Sequence, residues 1–283
     1  MEQIFEGVKE IGVQIYQAIK EGETGKAETF NTSGDQQIKL DILSDQIVEG
    51  VLREIDSVKE IISEEKSEPV RFREEGYLVA YDPLDGSSLV DADLTIGSIF
   101  GIYTGGYTGK DIITAGYLLY GPRLELVWAT GEGVRHYRFK KGEFQLVGEL
   151  KLGERGKILG PGGTQAKWYK FHKELIDSLF QKGYRLRYSG GMVPDIHQIL
   201  VKGGGLFAYP GTTDRPQGKL RKLFEVFPFA LIVEKAGGLA VDGVRRLLEL
   251  GYSGYADTTP CFFGSRAEVE EVLEVYRANT PFK

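Results

Sequence analysis

The residues best suited to chemistry in this sequence are acids that stand at the ends of apolar runs. The densest group is Tyr81-Asp82-Pro83-Leu84-Asp85-Gly86-Ser87-Ser88, where a strand-like stretch runs into two carboxylates three residues apart. Pro83 fixes φ and removes a ladder donor, so the sequence predicts that the strand stops there. On a turn, Asp82 and Asp85 can point the same way with the Leu84 carbonyl between them. These are three hard oxygens of the kind that Mg²⁺ takes. The amides of Gly86, Ser87 and Ser88 would follow as a small nest for an anion. An ordinary type I turn explains Asp-Pro as well, so this segment alone leaves both readings open.

Ser63-Glu64-Glu65 adds a second acidic pair after the apolar Ile61-Ile62. Adjacent side chains on a strand face opposite sides, so the two converge only if the strand ends there; a solvated strand end is the commoner fate. Asp35 and Asp41 precede and open a helix, where N-capping by itself accounts for Asp41. Glu225, three residues before Pro228, reads equally as an acid in a helix first turn. Should these carboxylates meet, repulsion and desolvation forbid the arrangement unless cations sit among them. Two or three divalent ions roughly 4 Å apart would resolve the conflict and would clamp the attacking and leaving oxygens of phosphoryl chemistry. Lys219-Leu220-Arg221 and Arg185-Leu186-Arg187-Tyr188 supply groups that pair with phosphate oxygens, or else a solvated charged edge, the reading taken for Arg185.

Positioning such residues takes both helices and sheets. Apolar residues at helical spacing predict a helix over residues 2–21, a polar loop over 22–37, and a second helix opened by Asp41. Strands follow at 58–63, 77–81, 94–103, 112–120, 124–129, 134–139 and 144–147, closely spaced as in an antiparallel or mixed sheet. Beyond about residue 157 the rhythm alternates: strand 157–159, helix 165–181, strand 184–188, helix 194–202, strand 206–209, a helix ending at Ala236, strands 239–242 and 261–264, and a last helix. Ser265 with Glu268 predicts a capping box for that last helix. The fold class expected is α/β (α+β mixed), in two tightly packed halves, 1–157 and 158–283.

Composition excludes several other functions. With 35 Lys and Arg against 41 Asp and Glu, a net charge of −6 speaks against a nucleic-acid or anionic-membrane partner, both of which want a basic face. Cys261 is the only cysteine, so neither an intrachain disulfide nor a cysteine-rich zinc site can form. The apolar runs are too short to span a bilayer, and Met1-Glu2-Gln3 does not begin a secretory signal, so a cytoplasmic protein is expected. Gly105-Gly106-Tyr107-Thr108-Gly109-Lys110 is one residue short of a P-loop and is followed by Asp111. His136, His172 and His197 are scattered and read as structural, and Cys261 reads as core.

The segment 82–88 with Glu64-Glu65 upstream resembles the lithium-sensitive, metal-dependent sugar phosphatases. Within them, Gly34-Asp35-Gln36…Lys39-Leu40-Asp41, Ile96-Gly97-Ser98-Ile99-Phe100, Lys219-Leu220-Arg221 and Phe224-Glu225…Glu234-Lys235-Ala236-Gly237-Gly238 are similar to the class I fructose-1,6-bisphosphatase family. Leu186 to Met192, Tyr120-Gly121-Pro122-Arg123 and Phe224-Glu225-Val226 also resemble the sister sedoheptulose-1,7-bisphosphatases. The resemblance implies a layered α-β-α-β-α sandwich and hydrolysis of the 1-phosphate of a sugar bisphosphate by a homo-oligomer, a tetramer or dimer. It implies that Glu64, Asp82, the Leu84 carbonyl, Asp85 and Glu225 hold Mg²⁺, with Mn²⁺ as a substitute and Asp35 completing an outer site. Asp41 and Glu65 would orient and deprotonate the attacking water. Arg221 and the amides of Gly86, Ser87 and Ser88 would hold the 1-phosphate. Tyr188, Met192 and Lys219 would line the sugar and Tyr209 the distal phosphate, with Arg187 reaching that phosphate in a neighbouring subunit. The family's Asn and Tyr near residues 162–169 are replaced here by Gly163-Thr164-Gln165…Trp168-Tyr169.

Overall fold

Ile4, Val8, Ile11 and Ile15 recur at the spacing of one helix face, and in the computed structural model they lie fully buried on α1 (Glu2–Glu21). The structure describes residues 1–22, 25–30 and 36–279. α2 (Lys39–Arg53) packs beside α1 and starts two residues before the expected Asp41, which stands inside its first turn. Before α2, β1 (Lys26–Phe30) and β2 (Gln36–Ile38) pair antiparallel where the sequence predicts a loop. That segment has no apolar alternation to announce a strand. Asp35 lies outside the described residues.

Two sheets carry the rest. The first contains β3 (Val58–Ser63), β4 (Val70–Arg71), β5 (Tyr77–Asp85), β6 (Ile96–Tyr103), β7 (Ile112–Tyr120), β8 (Leu124–Ala129), β9 (Val134–Lys140) and β10 (Glu143–Glu149). Its order is β10-β9-β8-β7-β6-β5-β3-β4, and β3 with β5 is its parallel pair. The second sheet contains β11 (Ile158–Pro161), β12 (Arg185–Leu186), β13 (Gly205–Tyr209), β14 (Leu239–Val241) and β15 (Cys261–Gly264), in the order β12-β11-β13-β15-β14. The remaining helices are α3 (Lys170–Gln181), α4 (Met192–Val201), α5 (Phe227–Lys235) and α6 (Arg266–Asn279).

Period-2 alternation distributes the strand side chains among three cores and so stacks the layers. On β5, Val79 and Tyr81 join α1 and α2, whereas Ala80 faces α4 and α5. On β13, Phe207 faces those same two helices, while Leu206 and Ala208 pack under α3 and α6. Five layers result, helix-sheet-helix-sheet-helix, as the resemblance implies. α4 and α5 are the central layer. Their burial from both sides explains why α5 is apolar around its whole circumference.

Some boundaries differ from expectation. Leu94 lies outside β6 and is half exposed. β12 shrinks to two residues, and α3 starts at Lys170 after a separate 3₁₀ turn over Gln165–Lys167. The capping box at α6 is replaced by tertiary bonds. Glu268 Oε1 accepts from the Gly156 amide (2.6 Å) and the Tyr184 hydroxyl (2.7 Å), and Ser265 Oγ accepts from the Gly205 amide. No helix among the described residues is long and apolar enough to cross a membrane.

Candidate active site

β3 and β5 run in parallel, and their pairing ends with Ser63 opposite Tyr81, where β3 stops and β5 goes on. The Glu64 amide still donates to the Tyr81 carbonyl at 3.0 Å, but the Glu65 amide turns to Ser63 Oγ (3.1 Å) and the Lys66 amide to the Ser63 carbonyl. The strand ends in a tight turn, which frees Glu64 and Glu65 from strict alternation.

β5 does not stop at Pro83. It pairs with β6 up to Asp82 opposite Ile99 and resumes at Asp85 opposite Gly97, three steps on one strand against two on the other. This bulge absorbs the proline's missing donor, and Ser98 Oγ donates to the Pro83 carbonyl at 2.7 Å. In a regular strand, residues three apart face opposite sides; the extra residue brings Asp82 and Asp85 to one side. Leu84, between them, buries its side chain under α1 and α2.

The Asp85 carboxylate accepts from the Met192 amide (3.3 Å) and the Val193 amide (2.7 Å) at the start of α4. Asp195 secures the approach to that helix by accepting from the Ser189 and Gly190 amides. Glu225 comes from a π-helical turn, Lys222–Val226, the kind of backbone irregularity that gathers at functional sites. Its Oε2 accepts from the Arg221 amide at 2.6 Å. The buried Arg221 guanidinium pairs with Glu64 Oε1 at 3.0 Å and reaches the Glu64 carbonyl at 3.3 Å. Asp41 closes the group from α2: Oδ2 accepts from the Ile38 amide at 2.8 Å, while the buried Oδ1 has no hydrogen-bond partner among the described residues.

Burial, with Glu64 and Asp85 close by, pushes the Asp82 carboxyl well above the usual range. Burial and Glu64 do the same to Glu225. Burial lifts Asp85 to about 7 against the two α4 amides, and Asp41 to about 6 against the Ile38 amide. Asp41, Glu64, Asp82, Asp85 and Glu225 therefore form one mutually repelling group of hard oxygens. The bare Asp41 Oδ1 and this repulsion fit a hard divalent cation; nothing in the donor set is soft.

The expected substrate residues divide. Gly86 has a left-handed φ of 83°, and Ser87 and Ser88 open a 3₁₀ turn beside the acids. The Met192 side chain is buried in the central core, so its amide rather than its thioether faces the site. Tyr188 and Tyr209 converge on Gly162: a Cβ there would lie 2.5 Å from the Tyr209 ring and 3.0 Å from the Tyr188 hydroxyl. Lys219 and Tyr209 line a cavity of about 300 Å³ together with Thr164, which stands in the 162–169 segment, and with Thr212 and Arg215, which no motif singles out. Arg187 is not brought to the acids; it is exposed and its Nη1 donates to the Leu186 carbonyl.

Sequence reasoning also missed a second polar cluster. His136 and His197, scattered in sequence, meet at the buried Glu125. A carboxylate inside the apolar run Leu124–Ala129 was the one available signal.

Residues 1–149 match the model for "Fructose-1-6-bisphosphatase, N-terminal domain" and residues 152–277 that for its C-terminal domain. A class 1 fructose-1,6-bisphosphatase of Helicobacter hepaticus is 50% identical over 275 residues, covering 96% of this chain and 98% of the relative. One from Campylobacter hominis is 48% identical, covering 98% of this chain and 100% of the relative. The holo-form crystal structure of Leishmania major fructose-1,6-bisphosphatase superposes with a TM-score of 0.89 at 35% identity, over 99% of this chain and 93% of that one. A sedoheptulose-1,7 bisphosphatase candidate from Toxoplasma gondii gives the same TM-score at 28% identity, over 98% and 94%. Sequence and fold together place the chain in the fructose-1,6-bisphosphatase family.

Proposed function

We propose that this chain hydrolyses the 1-phosphate of fructose-1,6-bisphosphate, yielding fructose-6-phosphate and phosphate. The observation that carries this reading is the gathering of Glu64, Asp82, Asp85 and Glu225 around one buried spot, with the bare Asp41 Oδ1 among them. The naming of the curated relatives favours the fructose substrate over sedoheptulose.

Glu64, Asp82, the Leu84 carbonyl, Asp85 and Glu225 would hold Mg²⁺, or Mn²⁺ on the same donors; Asp35, expected at an outer site, lies outside the described residues. A divalent ion bound there would supply an acidified water and offset charge on the leaving oxygen. Asp41 and Glu65 orient the attacking water and take its proton; burial holds the Asp41 carboxyl above the usual carboxylate range, which makes it a better proton acceptor. Arg221 and the amides of Gly86, Ser87 and Ser88 bind the 1-phosphate and neutralise the charge that spreads over its oxygens. Tyr188, Lys219 and the Met192 backbone border the sugar. Tyr209 binds the distal phosphate, and Arg187, turned outward on its own chain, serves a neighbouring subunit of a dimer or tetramer. The two halves, 1–157 and 158–283, divide the labour: most cation ligands come from the first, most sugar and distal-phosphate contacts from the second. The enzyme works in the cytoplasm.

The test is phosphate release from fructose-1,6-bisphosphate, sedoheptulose-1,7-bisphosphate and inositol-1-phosphate, with Mg²⁺ and with chelator. Fastest release from the first, abolished by chelator, is expected. Release that survives chelation overturns the reading.

A further inference from the structure

Away from the acidic centre, three strands and one helix converge on Glu125 of β8, which is 2% exposed. Its Oε1 accepts from Arg123 Nε (2.7 Å) and Arg138 Nε (2.8 Å), whose side chains reach solvent. Its Oε2 faces His136 Nε2 of β9 at 2.8 Å and His197 Nε2 of α4 at 3.2 Å. A carboxylate oxygen only accepts, so both rings carry their proton on Nε2. His197 Nδ1 is then free to accept from the Tyr117 hydroxyl of β7, 2.9 Å away. Two imidazoles and a carboxylate are also the donors of a transition-metal site. Here, however, two guanidiniums already oppose the carboxylate, and a divalent ion would add like charge beside them. The arrangement is a satisfied hydrogen-bonded hub.

His197 is the one member of the hub on a helix. Its helix, α4, presents the Met192 and Val193 amides to Asp85 little more than one turn earlier. Ile196, Ile199 and Leu200 hold α4 against the core, but apolar burial is non-directional and does not by itself fix how a helix is rotated. A buried bridge of directional hydrogen bonds does. We propose that the Tyr117–His197–Glu125–His136 bridge is a positioning device. It sets the rotation and axial position of α4 on β7 and β8, so that two helix amides meet the Asp85 carboxylate and tune its grip on the cation. The proposal rests on the reading of Asp85 as a cation ligand.

The experiment compares full-length wild type with His197→Phe, His197→Gln, Tyr117→Phe and Asp85→Asn. It measures Mn²⁺ binding by calorimetry without substrate, thermal melting, and KM for the sugar bisphosphate at saturating Mn²⁺. His197→Phe should weaken Mn²⁺ binding about tenfold or more, as loss of an outer orienting partner does, with KM nearly unchanged. His197→Gln, which keeps a donor toward Glu125, should recover most of the loss. A folded His197→Phe with wild-type Mn²⁺ affinity overturns the proposal. If that variant does not fold, Tyr117→Phe, which removes one hydroxyl, decides by the same measure. Unchanged Mn²⁺ binding in Asp85→Asn instead overturns the reading of Asp85, a separate failure. Tightly bound Zn²⁺ in the wild type, lost in His136→Ala, also overturns the proposal, because the hub would then be a metal site.

Discussion

Gly97 stands directly opposite Asp85 where β6 meets β5 beyond the bulge, and it has no side chain because Val193 occupies that space. A Cβ on Gly97 would lie 2.5 Å from Val193 Cγ1 and 2.6 Å from the Leu118 carbonyl. The Val193 amide, 2.7 Å from Asp85 Oδ2, reaches the carboxylate only because its own side chain sinks onto β6 at this glycine. One missing methyl thus couples sheet, helix and acid.

Gly97→Ala is therefore expected to push the start of α4 off the sheet. Overpacking of this kind costs about 1–3 kcal/mol, which denaturant unfolding would register as a modest loss. Activity should fall much further, with a higher Mg²⁺ concentration needed for half-maximal rate. Wild-type Mg²⁺ dependence in a correctly folded Gly97→Ala would show that the Val193 amide does not matter to the acidic centre.

Glu65 leaves the end of β3 in the same turn as Glu64, whose Oε1 pairs with Arg221. Glu65→Gln keeps the shape and removes the base. Turnover should drop at least about a hundredfold, the usual scale for an essential proton acceptor, with KM and Mn²⁺ affinity close to wild type. Near-normal turnover would remove Glu65 from the proton path.

His172 gives a pH dependence unrelated to the active site. It is fully buried in an aromatic setting with Trp168, Phe262 and Tyr276; its Nδ1 lies 2.9 Å from the Tyr276 hydroxyl, and Nε2 has no partner among the described residues. Burial lowers its pKa from 6.5 to about 3. The unfolded chain thus binds a proton that the folded chain refuses. This contribution to stability is intact above pH 6.5 and is lost as pH falls toward 3, by about 2 kcal/mol at pH 5. Urea unfolding at pH 7.5 and pH 5 should show a smaller gap in His172→Phe than in wild type. An equal gap would assign the acid sensitivity elsewhere.

Much of the site can be read from sequence because its acids end apolar runs: Glu64 and Glu65 after Ile61-Ile62, and Asp82 after a strand whose pattern is unmistakable. What could not be read arises from pairing across distance. The bulge that aligns Asp82 with Asp85 belongs to the register with β6, so Pro83 suggested an end where the strand only shifts. Ser265 and Glu268 have capping-box spacing, but Glu268 finds better partners in Gly156 and Tyr184, far back along the chain. Glu125, His136 and His197 form no local motif, since three separate elements bring them together. The five layers were legible only through the resemblance; periodicity alone gave the elements and not their stacking.

Asp45 ties the helix that carries Asp41 to the strands that carry the other acids. Its Oδ1 accepts from the Tyr81 hydroxyl at 2.8 Å and its Oδ2 pairs with Lys66, which also bonds Glu49. Tyr81→Phe leaves Asp45 paired with Lys66 and should cost about 1 kcal/mol, one hydrogen bond. Asp45→Ala removes the buried acceptor from two donors at once and should cost more than twice that, with a clear loss of activity as α2 loosens. Equal effects of the two substitutions in urea unfolding would deny Asp45 this bridging role.

Arg221 is the group whose two duties are most open to experiment. Its guanidinium neutralises Glu64 among four other buried acids, and its amide fixes Glu225. A divalent cation and this guanidinium thus answer the same repulsion, and each should compensate for loss of the other. Arg221→Ala is expected to melt at a lower temperature without Mg²⁺ and to gain more than wild type when Mg²⁺ is added, since ligand linkage stabilises the state that binds. If the side chain also holds the departing phosphate, inhibition by inorganic phosphate should weaken about tenfold or more, the scale of one lost charge-assisted contact. A larger Mg²⁺-induced shift with unchanged phosphate inhibition would leave Arg221 its structural duty and take away the catalytic one; an unchanged shift would remove the first as well.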